Sequence, residues 1–184
     1  MHKLAAATAL TLLAACGGTP LRFDAPVAQS ETKIPVSVGS VEVRDVSLPL
    51  YASQEVIFFE DETGALVSDD NLLWADDPER AITEGLALAL AAQTRATVAA
   101  EPWPFFDRPD AQVDVRISRA LPGRDGIYRM DGQYFVGSPQ GTSGERARRF
   151  SLQTPFQTLA PSSIAAARAK LTADLADLIA RDGL

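Results

Sequence analysis

Chemistry on this chain begins at Cys16, the single cysteine among its 184 residues. Cys16 closes the run Leu13-Ala14-Ala15-Cys16, behind Lys3 and an apolar stretch from Leu4 to Ala15. A basic start, a short apolar run and small residues before the cut form the signature of a secretory signal peptide. A cysteine directly after the cut makes it a bacterial lipobox, where the thiol and then the new amino group are acylated. The apolar run is shorter than the ~20 residues a bilayer-spanning helix needs. Attachment is therefore expected through acyl chains on Cys16, several of which hold a protein stably where one would not. A buried free thiol in an N-terminal helix is the competing reading. Gly17-Gly18-Thr19-Pro20, following at once, speaks against it.

The same residues exclude much enzymology. His2 is the only histidine and leaves with the leader. A mature chain without histidine or a usable thiol cannot assemble a Ser-His-Asp triad, a Cys-His pair or an ordinary zinc site. No disulfide framework is available either, so no enzyme, metal or cofactor is expected. Asp69, Asp70, Asp76 and Asp77 lack the alternating spacing and turn glycine of a calcium loop. Capping and solvation account for them. Glu101 and Asp107 stand near Trp103 without anything else that points to glycoside chemistry.

Binding residues are more promising. Trp74 and Trp103 sit among prolines and acids rather than inside apolar runs. Each can be read as an aromatic anchor for a partner or as a plug at the end of a helix, the second being the more ordinary role. Arg146, Arg148 and Arg149 form the one basic cluster, beside a loop carrying Gly137, Gly141 and Gly144. Docking of an acidic partner or a lipid headgroup competes there with protection of a sheet edge. The glycines do not end in the Gly-Lys-Ser/Thr of a phosphate loop.

The elements that must position these residues can be read in order. Residues 1–15 are the expected leader and 16–33 a lipidated tether, in which Leu21 and Phe23 could dock as a short edge strand. A single domain is expected over 34–184. Val36 to Val43 alternates, but its parity flips at Gly39-Ser40 as a bulge would make it, and Leu48-Pro49 ends the strand. Glu55 to Glu60 reads as a buried strand, Asp61 to Gly64 as a turn and Ala65 to Val67 as its return. The polar stretch Asp69-Asp70-Asn71 leads to Trp74. Asp76 or Asp77 then caps a helix whose buried face carries Ile82, Leu86, Ala89, Leu90 and Gln93. Thr97 to Ala99 is a brief strand. Val113, Val115 and Ile117 alternate with polar residues. Tyr128, Met130, Tyr134 and Val136 share the parity of one long strand, and Arg148, Phe150 and Leu152 that of a last one. Ser162 or Ser163 caps a closing helix with a seam of Ile164, Leu171, Leu175 and Leu178, stopped by Asp182-Gly183. Strands alternating with two separated helices imply an α/β or α+β domain around one mixed sheet.

Composition agrees with a globular body: 46% of residues are hydrophobic and 22% charged, within the range of folded domains. A net charge of −7 argues against nucleic acid as a partner and leaves membrane attachment to the acyl chains.

Taken in order, these pieces resemble the PqiC/YmbA-type family of ABC-transporter auxiliary lipoproteins. The lipobox at Cys16, Leu48-Pro49-Leu50-Tyr51, Val56-Ile57-Phe58, Leu73-Trp74-Ala75, Pro102-Trp103, Val113-Asp114-Val115 and the Leu-rich closing helix stand in family order. The resemblance implies a mixed sheet of about five strands with helices on its faces, similar to the amino-terminal domain of TolB. It also implies a non-catalytic, periplasm-facing adaptor on the outer membrane that accompanies an MCE-domain protein and its permease in lipid trafficking. A homo-oligomer is compatible with that role. Against the family pattern, Leu21-Arg22-Phe23 only loosely echoes an aromatic-x-Leu segment, and Ser53-Gln54 replaces a position often basic. A direct lipid carrier, with a pocket lined by Phe58, Phe105, Phe106 and Phe156, is the alternative.

Overall fold

The computed structural model describes residues 19–26, 33–141 and 144–184; Cys16 and the leader lie outside them. Ten elements follow the chain: β1 (Leu21–Phe23), β2 (Ser40–Val43), β3 (Val56–Glu60), β4 (Leu66–Trp74), α1 (Pro78–Gln93), β5 (Thr97–Ala100), β6 (Ala111–Pro122), β7 (Ile127–Gly137), β8 (Arg146–Pro155) and α2 (Pro161–Asp182). The main sheet is five-stranded and mixed, in the order β5-β2-β6-β7-β8. β2 runs parallel to both β5 and β6, whereas β6, β7 and β8 form an antiparallel meander. A second sheet, not anticipated from the sequence, has the order β1-β4-β3. A bridge from Glu60 to Gly123 and the 2.9 Å ion pair of Arg119 with Glu60 join the two sheets.

Residues 21–26 fall within the expected tether, and there Leu21–Phe23 form the short edge strand that Leu21 and Phe23 allowed. β1 pairs in parallel with β4, matching Leu21 to Leu72 and Phe23 to Trp74. The Arg22 guanidinium donates to the Trp74 carbonyl at 3.1 Å, which holds the strand in register. β4 itself runs through the polar stretch Asp69-Asp70-Asn71, beyond the return strand expected at Ala65 to Val67. An Asn71 N–H bond to Asp69 Oδ1 at 2.9 Å bends the strand there, and no Pro or Gly interrupts it.

The strand expected from Val36 is confined to Ser40–Val43. Before it, Ser37 N donates to the Leu184 carbonyl and Gly39 N to Asp110 Oδ2, so these amides have non-ladder partners. After it, Val46 N donates to Thr83 Oγ1 and Leu48 N to Glu79 Oε1, tying the segment to α1. Arg44 N and Ser47 N still bond to β6, but loop and helix groups take the donors of Ser37, Gly39, Val46 and Leu48, so no continuous ladder forms.

Asp77 caps α1, its Oδ1 accepting from Arg80 N at 2.8 Å, and Pro78 opens the first turn. The closing helix is not capped by Ser162 or Ser163. It begins at Pro161 behind Ala160, and Ser163 Oγ accepts from Gln157 N in the incoming loop. Proline is accommodated only in a first turn, so Pro161 sets the start. Gly183 ends this helix.

Both helices pack against each other and on one face of the main sheet. Val41, Val43, Val113, Val115, Met130 and Tyr134 on the strands share a core with Leu86 and Leu90 of α1 and Leu171, Leu175 and Ile179 of α2. Gly132 allows the meander to close: a Cβ there would lie 2.3 Å from the Arg116 carbonyl oxygen and 2.9 Å from the Phe150 ring. No helix among the described residues is long and apolar enough to cross a membrane.

Candidate docking surface

Two connections join the parallel strands around β2, and only the second crosses β2. From β2 to β5 the chain passes through the small sheet and α1. From β5 it returns to β6 by residues 101–110 alone, moving the other way across the sheet. Connections between parallel strands are right-handed, so reversing direction puts the second connection on the face without helices. Side-chain alternation agrees. Val41 and Val43 point into the core, while Glu42 between them points the other way and is covered by this loop to 6% exposure.

A carboxylate so buried requires donors. Glu42 Oε1 accepts from Trp103 N at 3.0 Å, and Oε2 accepts from Gln112 Nε2. The far end of the loop is held by Asp110, whose N donates to Ser40 Oγ and whose carboxylate accepts from Gly39 N. Trp103 closes the turn from within, donating from Nε1 to the Asp107 carbonyl at 2.7 Å, and its ring meets Phe105 edge-on at 5.0 Å. Pinned this way, the loop presents Phe105 at 53% exposure and Phe106 fully to solvent. Glu101 accepts from Arg44 and Asp45, and Asp107 contributes its carbonyl, so the two acids form no working pair.

Beyond the loop, the same face runs across β6 and β7 to β8, roughly 14 Å at ordinary strand spacing. Asp114 and Arg116 of β6 pair there at 2.9 Å, and the Arg116 guanidinium lies 4.9 Å above the Phe135 ring of β7. The Asp114 carboxylate holds the Arg116 pKa above the usual arginine value. An open depression of about 680 Å³ follows, lined by Arg116, Asp131, Gln133, Phe135, Arg149 and Ser151. β8 is an edge strand of ten residues.

The basic cluster on β8 divides. Arg146 donates to the carbonyl of Gly183 at the C-terminus of α2, the place where a cation suits the helix dipole. Arg148, across from Tyr134 on the helix side, reaches only the Ala147 carbonyl at 3.2 Å. Arg149, across from Gln133, lines the open depression. Neither Arg148 nor Arg149 has a carboxylate partner among the described residues.

Trp74 lies elsewhere, 5% exposed at the end of β4, with the Arg168 guanidinium 3.6 Å over its ring. Its side chain belongs to the core. The structure thus brings Trp103 and Arg149 to one face, at opposite margins, and separates Trp74, Arg146 and Arg148 from it. Phe105, Phe106, Phe135 and Arg116 were not singled out as docking residues. The Pro-Trp-Pro-Phe-Phe spacing at 102–106 was the available signal, since prolines around aromatics prevent their burial in a regular element.

The four phenylalanines of the carrier reading do not converge. Phe58 lines a cavity of about 20 Å³ beside Trp74, Phe156 packs at the end of β8, and Phe105 and Phe106 face solvent. Among the described residues, no three or more metal-binding side chains gather.

Residues 21–180 match the model of a family described as the ABC-type transport auxiliary lipoprotein component. No curated protein matches the chain. Among solved structures, an uncharacterized protein superposes with a TM-score of 0.72 at 18% identity, covering 89% of this chain and 97% of its own. A protein from Xanthomonas campestris superposes at 0.67 with 13% identity, covering 87% and 93%. At these identities the likeness establishes the fold.

Proposed function

Because the chain belongs to the family of ABC-type transport auxiliary lipoproteins, we propose that it is a non-catalytic adaptor that docks an MCE-domain protein of an ABC transport system. In this reading residues 1–15 are removed as the leader, and Cys16 carries the acyl chains that hold residues 34–184 and β1 at the periplasmic side of the outer membrane. The system it serves moves lipid between the two membranes and maintains the envelope. The observation that carries the reading is the helix-free face of the main sheet. It is bounded by the exposed Phe105 and Phe106 at one margin and by the free β8 edge with Arg149 at the other.

Aromatic side chains raised on a rigid loop are efficient interface anchors, because little conformational freedom is lost when they are covered. An edge strand with unsatisfied backbone groups can accept a further strand. Arg148 and Arg149, without a carboxylate partner among the described residues, favour an acidic segment in that partner. Several such adaptors acting together, as a homo-oligomer, would repeat the surface.

Photo-cross-linking from the full-length lipoprotein in intact envelopes tests this. Photoreactive residues at Phe106 and Arg149 are expected to capture an MCE-domain subunit, whereas Leu88, exposed on α1, captures none. Capture from Leu88 alone, or no MCE-domain adduct from the sheet face, would refute the docking surface.

A further inference from the structure

Arg168 is the most deeply buried charged side chain among the described residues. It sits on α2 at 3% exposure, and its guanidinium has no hydrogen-bond acceptor or ion-pair partner among the described residues. Trp74 covers one face at 3.6 Å, a cation–π stacking that strengthens when desolvated. Its in-plane N–H groups find no acceptor among the described residues; they open onto small cavities rather than being sealed in packed side chains. Asp24 and Asp76 are near enough for their charges to be felt, but neither forms an ion pair with it. Asp76 is held by Arg80.

The guanidinium borders the cavity of about 20 Å³ between Trp74, Phe58 and Ile82. Two hydroxyls face the same space. Tyr51 accepts from Ala120 N at 3.1 Å, which leaves its own proton free to be donated. Tyr128 is 3% exposed, and burial pushes its pKa up to about 12, so it stays a neutral donor rather than serving as the counter-ion of Arg168. The remaining lining is apolar and includes no carboxylate. Three donor groups, one of them cationic, therefore converge on a space that holds about one water-sized species.

We propose that this cavity binds one small monovalent anion, coordinated by the Arg168 guanidinium and the Tyr51 and Tyr128 hydroxyls. An anion answers both deficits at once: it supplies the missing acceptor and neutralises the buried charge. A phosphate or carboxylate group would exceed the space available, which selects a halide-sized ion. Such an ion would hold α2 against β4 and β7 without an acidic side chain in the core.

Melting of the full-length lipoprotein in nonionic detergent, with chloride exchanged for gluconate at fixed ionic strength, tests the site. A saturable rise in Tm with chloride is expected, and bromide should replace chloride and give an anomalous scattering peak between Arg168 and the two tyrosines. Tyr128→Phe should raise the half-saturating chloride concentration about tenfold, the value of one lost hydrogen bond to a charged group. Arg168→Met should abolish the response. If Arg168→Met fails to fold, Tyr128→Phe still decides the matter. Melting that is identical in chloride and gluconate, or an unchanged chloride response in Tyr128→Phe, would overturn the proposal and leave water as the occupant.

Discussion

The two faces of the main sheet are built from the same strands and treat solvent oppositely. On one, alternate residues of β2, β6 and β7 lie under α1 and α2, and every large side chain is apolar or tyrosine. On the other, the intervening residues include Glu42, Gln112, Asp114, Arg116, Asp131, Gln133, Phe135 and, on β8, Arg149, covered only at β2 by the aromatic loop. Substitutions on the first face are expected to change stability. Those on the second are expected to change binding, except at Glu42, where the loop is moored.

The largest effect is expected under the helices. Leu175→Ala removes a fully buried side chain from α2 and should cost ~2–5 kcal/mol, seen as a lower denaturant midpoint with unchanged slope. Next comes Gly132→Ala, whose added Cβ meets backbone at Arg116 and the Phe150 ring. Overpacking of this kind costs ~1–3 kcal/mol. A neutral result would mean that the β6–β7 register relaxes there, weakening the division between the faces.

Glu42→Ala sharpens the comparison, because it lies on the outer face yet is buried. Loss of its bonds to Trp103 N and Gln112 should cost ~1–3 kcal/mol. Limited proteolysis within residues 101–110 should accelerate with it. Phe106→Ser, by contrast, should shift stability by no more than ~0.5 kcal/mol. It should nevertheless weaken MCE-domain capture by at least ~10-fold, as loss of an anchor residue does. A destabilised Phe106→Ser would show that the loop packs as core.

The smallest effect concerns acid. Arg129 and the Ile127 amide hold the exposed Asp125 carboxylate below its ordinary pKa of 3.8, and the Thr63 hydroxyl with the Ala65 amide does the same for Asp61. A depressed folded-state pKa adds stability that is fully present above the unfolded value and lost as pH falls through the folded one. Asp125→Asn should therefore melt slightly below the parent at pH 7, and the gap should close as pH drops below about 3.8.

Much of the fold was legible because half-buried strands carry their own pattern. The Val113-Val115-Ile117 alternation, the shared parity of Tyr128 to Val136 and the buried face of α1 all stand as read. Asp77 was one of two candidate caps and is the cap. Misreadings occurred where local pattern and backbone partner disagree. Val36 and Val38 alternate like a strand, yet their neighbours' amides bond to Leu184 and Asp110. The return strand was read only over Ala65 to Val67, yet β4 continues through the polar Asp69-Asp70-Asn71 to Trp74 and pairs with β1 and β3.

The candidate site was less legible than the fold. The two helices and most strands follow from residue type and spacing along the chain. These are local properties, set by periods of 2.0 and 3.6 residues. That Trp103 and Arg149 border one face while Trp74 and Arg146 do not depended on strand order, which periodicity does not encode. The buried positions of Glu42 and Arg168 depended likewise on which segment crosses over them, 61 residues away for Glu42 and Trp103. Local spacing specifies which way a side chain points from its own element. Only the packed tertiary structure decides what it meets there.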